Sequence, residues 1–227
     1  MTLDNRYSEI LAKVHEKALA CGREPADICL VAVTKYSSVE SMCAVYEAGS
    51  RDFGESRVAD ALDKIPLFPS DCRWHFIGTL QSNKVAKVVS HFHLIHSVDN
   101  PALARKISLA SEEKGVITPL LLQVNTSQEA TKHGLSAEEW KRELEGVNQL
   151  THIRIEGLMT MAPYTEDEKL IRECFRSLYE CREKWRCEMK DPASFQHLSM
   201  GMSHDYLIAI EEGATILRIG TAIFKDN

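Results

Sequence analysis

Apolar residues are distributed along this chain in two alternating textures. Short, nearly continuous apolar runs are separated by longer polar stretches in which apolar positions recur every three or four residues. Eight segments have the first texture: residues 28–34, 51–54, 74–78, 93–98, 117–125, 153–160, 195–200 and 215–224. Several are apolar throughout rather than alternating, as expected of parallel strands covered on both faces. A helix precedes them all, with Tyr7, Ile10, Leu11, Val14 and Ala18 forming one stripe. The runs recur about every 27 residues, the length of one strand–helix unit. Eight such units predict a (β/α)₈ TIM barrel with an extra N-terminal helix, and a doubly wound open sheet is the competing architecture.

Local signals support the division. Glycine closes helix-like stretches at Gly49, Gly115 and Gly213. Residues 37–40, 136–139 and 165–168 have capping-box spacing, and Pro101 suits a first helical turn. No linker or composition break interrupts the series, so residues 1–227 are expected to form a single domain.

Composition narrows the function classes. With 33 acidic and 27 basic residues the net charge is −6, and no basic run appears, which argues against nucleic acid as the main partner. The longest apolar stretch, residues 28–33, is far too short to span a membrane, and the N-terminus does not resemble a signal peptide. A cytoplasmic location is therefore expected. The seven cysteines contain no CxxC pair and read as free thiols and small buried hydrophobes, with Cys174 and Cys181 sharing a buried helix face. His91, His93 and His96 read as packing and surface rather than a metal site.

Three features carry candidate chemistry. Lys35 ends the first strand on the face of Val31 and Val33. It is either a solvated strand-end lysine or, if desolvated at a barrel mouth, a Schiff-base former. Arg218 lies within an apolar strand and needs an acceptor, either a structural acid such as Glu156 or Asp205 or a ligand. Residues 199–203 and 220–221, after the seventh and eighth strands, supply small residues, hydroxyls and backbone N–H groups where barrels often hold phosphate. Five glycines, Gly54, Gly78, Gly157, Gly201 and Gly220, are placed at strand ends, and His75 and Asn83 near the third strand's exit are candidate pocket lining. Lysine, arginine and a phosphate cradle at one mouth suit a phosphorylated aldehyde, for which pyridoxal phosphate is the obvious candidate.

The segments Ala32-Val33-Thr34-Lys35, Phe53-Gly54-Glu55, Trp74-His75-Phe76-Ile77-Gly78, Gln81-Ser82-Asn83-Lys84, Gly157-Leu158-Met159, residues 198–203 and residues 218–224 together resemble the pyridoxal phosphate homeostasis proteins. The resemblance runs from about residue 5 to the end. It implies a barrel similar to the N-terminal domain of alanine racemase, with pyridoxal 5'-phosphate bound to Lys35 as an internal aldimine. Ser199, Gly201, Gly220 and Thr221 would hold the phosphate, with Ser203 a further contact, and Arg218 would face the pyridine nitrogen. Ser56, His75, Asn83 and Met159 would line the pocket. This chain departs from the family pattern at Ser56, where asparagine is usual, at Thr79, where proline is common, and at Lys225, where glycine is frequent.

The resulting expectation is a monomeric binding protein that stores, delivers or buffers the cofactor with little turnover, and apo forms of pyridoxal-phosphate enzymes are its possible partners. An arginine beside the pyridine nitrogen weakens the ring as an electron sink, and after residue 224 no length remains for the racemases' additional β-domain. The alternatives are a slow amino-acid racemase using Lys35 with a second group such as His75, and a phosphosugar enzyme using Lys35 as its Schiff-base residue.

Overall fold

The computed structural model describes residues 2–127 and 133–224. Eight parallel strands close on themselves in chain order. They are β1 (Cys29–Val33), β2 (Asp52–Glu55), β3 (Arg73–Phe76), β4 (Leu94–Val98), β5 (Thr118–Gln123), β6 (Ile153–Met159), β7 (His197–Ser199) and β8 (Ile216–Ile219). Closure is made where β1 pairs with both β2 and β8, with Val31 beside Arg218 and Ala32 beside Ile219. That pairing excludes the open sheet.

Nine α-helices accompany the strands among the described residues. Helix α1 (Leu3–Ala20) precedes the barrel and buries Tyr7, Ile10, Val14 and Ala18, while Leu11 stays partly exposed at the edge of the stripe. The next four are α2 (Val39–Glu47), α3 (Val58–Lys64), the single turn α4 (Val85–Val88) and α5 (Pro101–Glu113). The last four are α6 (Ala137–Asn148), α7 (Glu168–Arg186), α8 (Tyr206–Glu211) and the short α9 (Thr221–Phe224). None is long and apolar enough to cross a membrane.

Caps account for several starts. Ser136 and Glu139 make the expected reciprocal capping box on α6, and Asn100 caps α5 with Pro101 in its first turn. Two caps are shifted from the expected residue. Ser38 rather than Ser37 caps α2, because its hydroxyl reaches the Ser41 N–H. Asp167 rather than Thr165 caps α7, accepting from Lys169 and Leu170, while Thr165 accepts from the N–H of Asp167 itself. The eighth apolar run also divides: β8 stops at Ile219, and Gly220 turns the chain into α9.

The strands alternate between two apolar compartments. Leu30, Ala32, Phe53, Phe76, Ile95, Leu120, Leu122, Leu198, Leu217 and Ile219 face the helices as part of the main core. Val31, Leu94, Leu121, Met159 and Ile216 form a separate cluster, on the strand positions that point into the barrel. None of the cysteines is in a disulfide, but only Cys174 is buried: Cys181 is half-buried on the same helix, and Cys21, Cys43 and Cys187 are exposed. Burial of these thiols was thus over-read from composition.

Gly78, Gly201 and Gly220 follow strand ends as expected, whereas Gly54 and Gly157 lie inside β2 and β6. Gly157 is required by its strand. Its φ is +151°, and a Cβ there would stand 2.0 Å from the His197 carbonyl oxygen. Gly157→Ala is therefore expected to separate β6 from β7 and to lower stability by roughly 3 kcal/mol, read as a shift in the urea unfolding midpoint.

Candidate functional site

The C-terminal ends of β1, β7 and β8 assemble one mouth. Beyond β1, residues 34–36 turn sharply, and Lys35 emerges exposed with its Nζ 5.2 Å from the Tyr36 ring centroid. Tyr36 is itself 80% exposed. Because β1 and β8 are paired, this turn faces the start of α9. A pocket of about 350 Å³ lies between them, lined by Lys35, Tyr36, Ser41, Gly220, Thr221 and Phe224 among others. It falls in the size range of small-molecule sites. Three predicted site residues, Lys35, Gly220 and Thr221, thus share one pocket.

The loop after β7 closes the mouth from the side. Gly201 has φ +92°, and a Cβ there would come within 2.6 Å of the Ala209 methyl, so the close approach to α8 requires glycine. Ser203 Oγ accepts from the Ala222 N–H at 3.2 Å, tying this loop to α9. The N–H groups of Ser203, His204, Gly220 and Thr221 have no acceptor among the described residues. Beneath the loop, Asp205 accepts from the Met202 N–H at 2.5 Å. Burial raises the Asp205 carboxyl above its usual range, and its Oδ2 has no hydrogen bond, lying 3.2 Å from His204 Nε2.

Arg218 occupies the inward side of β8 and is 5% exposed. Neither Glu156 nor Asp205 neutralises it directly. Its Nη1 donates to Ser199 Oγ at 2.5 Å and its Nη2 to the Thr160 carbonyl at 3.0 Å. Burial lowers the guanidinium to about 10, a shift that Asp205 opposes from a distance. Glu156 instead pairs with Arg154.

Ser199 leads deeper into the barrel. Its Oγ is 2.8 Å from His96 Nδ1; His96 Nε2 is 2.9 Å from His75 Nδ1; and His75 Nε2 is 3.0 Å from Asp52 Oδ1. Arg73 then closes on Asp52 with Nε at 2.7 Å and Nη2 at 2.5 Å. Burial acts to raise the Asp52 carboxyl, but the hydrogen bonds from His75 and Arg73 outweigh it and hold the group well below the usual carboxylate range. Burial, reinforced by neighbouring positive charge such as Arg218, keeps His96 well below an ordinary imidazole.

Several predicted positions take other places. Ser199 is expected at the phosphate, but its hydroxyl is buried and engaged by Arg218 and His96, below the cradle. His75 is not pocket lining, because both ring nitrogens are bonded inside the barrel. Asn83 is exposed on a 3₁₀ turn. Ser56 lines a neighbouring groove with Thr79, Gln81 and Lys84. Met159 is buried in the interior apolar cluster. Lys225 lies outside the described residues. His91 is exposed as expected, but His96 is fully buried in this chain of polar groups, which the sequence reading did not find. The available signal was inward strand parity combined with polarity at Asp52, His75, His96, Ser199 and Arg218.

Cys29, Asp52 and His75 place donor atoms within 4.8 Å of one another, a spacing compatible with a metal ion. Asp52 is already committed to Arg73 and His75, and the adjacent guanidinium opposes a second cation. The cluster is accounted for by its own hydrogen bonds.

The closed parallel barrel carries a lysine and unbonded N–H groups at its mouth, with a buried arginine on the adjoining strand, and comparison with known proteins gives its class as an alanine-racemase-type barrel. Residues 23–227 match the family model of the alanine racemase N-terminal domain. The alanine racemase of Clostridium difficile has the same fold, with a TM-score of 0.76 at 14% identity over 96% of this chain and 59% of that one. Much nearer is the pyridoxal phosphate homeostasis protein of Aquifex aeolicus, 37% identical over 100% of this chain and 99% of that protein. PipY of Synechococcus elongatus, whose structure is known with pyridoxal phosphate bound, superposes with a TM-score of 0.82 at 34% identity, covering 93% of this chain and 99% of that one. The chain belongs to the pyridoxal phosphate homeostasis protein family.

The buried histidine also fixes a pH dependence. Unfolded His96 takes up a proton near pH 6.5, whereas the folded imidazole resists doing so. The unfolded state therefore binds more protons, and stability falls as pH drops below about 6.5. The melting temperature is expected to decline between pH 7 and pH 5.5, with a shallower slope in His96→Gln.

Proposed function

We propose that this protein binds pyridoxal 5'-phosphate and serves its homeostasis as a store, carrier or buffer. The observation that carries this reading is the convergence of Lys35, Gly220 and Thr221 on one pocket, next to the buried donor Arg218. The residues fit the group on their own chemistry. Gly220 leaves a cradle whose Cβ position is 3.2 Å from Val33 Cβ, and the N–H groups around it are unclaimed. Arg218 has two N–H groups committed inside the barrel and no carboxylate partner among the described residues. An anionic phosphate, an aldehyde and an aromatic ring nitrogen match these three features.

In this reading Lys35 supplies the amine for a Schiff-base attachment. Gly201, Ser203, Gly220 and Thr221 hold the phosphate through backbone N–H groups and hydroxyls, and Arg218 presents N–H donors to the ring nitrogen. When bound, the cofactor supplies an electrophilic carbon and an aromatic electron sink. Arg218 opposes protonation of that sink, because a donor-only cation cannot accept the ring proton. Tyr36 and the hydroxyls of Ser37, Ser38, Ser41 and Thr221 complete the wall and leave the pocket open to solvent, which suits exchange of the cofactor. Residues 1–227 would act as one cytoplasmic, monomeric binding domain, with apo enzymes that use the cofactor as recipients.

The racemase alternative requires a second acid or base opposite the lysine. His75, the residue considered for that role, has both nitrogens engaged by His96 and Asp52. This favours binding over turnover.

Purified protein incubated with pyridoxal phosphate is expected to develop a visible absorbance band, and borohydride trapping followed by mass mapping should place the label on Lys35. Lys35→Ala should lose both. A protein with no such band would overturn the assignment and favour a phosphosugar ligand. Deuterium exchange at Cα of several amino acids separates carrier from racemase: little exchange is expected, and rapid exchange abolished by Lys35→Ala would make the protein an enzyme.

A further inference from the structure

The polar chain inside the barrel has two ends of fixed and opposite character. Arg218 carries only donors, and ionised Asp52 carries only acceptors. Between them stand Ser199, His96 and His75, each able to do either. From the Asp52 end, His75 Nε2 must hold the hydrogen it shares with Oδ1. With both imidazoles taken as neutral, His75 accepts at Nδ1 and His96 Nε2 is the donor across their 2.9 Å contact. A neutral His96 accepts in turn at Nδ1, and the Ser199 hydroxyl donates to it at 2.8 Å. The Ser199 lone pairs remain for Arg218, whose Nη1 donates to Oγ at 2.5 Å.

Starting from Arg218 gives the same assignment. Its N–H occupies a Ser199 lone pair, and the hydroxyl hydrogen then has His96 as its acceptor. For neutral imidazoles both ends are satisfied by this one order, in which each hydrogen is used once. Reversing either neutral imidazole would set two donors or two acceptors against each other. His96 and Ser199 are fully buried, and His75 is 2% exposed, so such a mismatch is not relieved by bulk water.

We propose that Ser199, His96, His75 and Asp52 are positioning residues of the cofactor site, forming a proton-ordered relay that holds the Arg218 guanidinium in one orientation with its remaining donors turned to the ligand. The relay runs from Arg73, half-exposed at the N-terminal end of the barrel, to the mouth at the opposite end. Its order is a property of the chain alone. Its consequence for the ligand rests on the pyridoxal phosphate reading above.

The two parts are separable by experiment. In ligand-free protein labelled with ¹⁵N, long-range ¹H–¹⁵N correlation spectra report each imidazole tautomer. His75 and His96 are both expected as the Nε2–H form, and Nδ1–H at either one overturns the relay. Ser199→Ala should leave His96 without its fixed donor and shift its Nδ1 resonance, whereas a wild-type His96 spectrum in that variant would overturn the order. Asp52→Asn, remote from the mouth, permits reversal at His75 because an amide can donate as well as accept. Ser199→Ala and Asp52→Asn are each expected to weaken pyridoxal phosphate binding by about tenfold and to shift the band of the bound chromophore. Wild-type affinity and spectrum in both variants would overturn the positioning role even with the tautomers as assigned. Wild-type protein that takes up no pyridoxal phosphate overturns the functional reading and its positioning consequence, and the tautomers still decide the order of the relay.

Discussion

A guanidinium cannot be placed on the inward face of an apolar strand unless the barrel supplies acceptors for it. That requirement of Arg218 organises one side of the interior. Thr160 contributes a carbonyl from the end of β6, Ser199 a hydroxyl from β7, and the chain of partners continues through His96 on β4 and His75 on β3 to Asp52 on β2. Other inward positions carry an apolar cluster, with Val31, Leu94, Leu121, Met159 and Ile216 packed together. The interior is thus divided between a hydrogen-bonded seam and an apolar filling. The Ser199 hydroxyl and the Thr160 carbonyl offset part of the desolvation cost of the buried guanidinium, and the far end of the seam is the Asp52 carboxylate paired with half-exposed Arg73.

The same register that buries Arg218 builds the mouth. With Val31 opposite Arg218, the chain leaves β1 at Lys35 beside the point where it leaves β8 at Gly220. Two short turns, separated by most of the sequence, then face each other across one pocket. The loop after β7 is fastened to this arrangement by the Ser203–Ala222 hydrogen bond and by the tight contact of Gly201 with α8. Rigid pairing below and glycine-shaped turns above give the site its geometry, and α9 contributes only as the wall in which Thr221 and Phe224 stand.

This division explains what could be read from residues alone. Strand existence was legible because buried parallel strands are apolar on both faces, so a run such as 117–125 stands out without any partner. Lys35 and Arg218 were legible as single polar residues in apolar surroundings. The relay was not, since Asp52, His75, His96 and Ser199 come from four strands and become neighbours only when barrel register is known. His75 was misplaced for that reason: proximity to a strand exit in sequence suggested the mouth, whereas its inward position on β3 points to His96. The shifted caps at Ser38 and Asp167 have a more local cause, because adjacent Ser, Thr and Asp residues compete for the same free N–H groups and backbone geometry decides between them.

The relay also bears on why a racemase-like barrel would serve as a carrier. Racemisation needs two groups free to exchange protons on opposite faces of the substrate, and at least one must change charge during turnover. Here the inward-facing imidazoles His75 and His96 are spent on each other, on Ser199 and on Asp52, so giving up or taking a proton at either disturbs a buried and fully partnered chain. What remains at the pocket is Lys35, the hydroxyls of Ser37, Ser38, Ser41 and Thr221, and Tyr36, with the donor-only Arg218 buried two residues before Gly220. Such a set can attach a phosphorylated aldehyde, fix its ring and release it through an open mouth. In the proposed reading, the hydrogen bonds that orient Arg218 also engage the nearby histidines, so binding geometry and low turnover would follow from the same contacts.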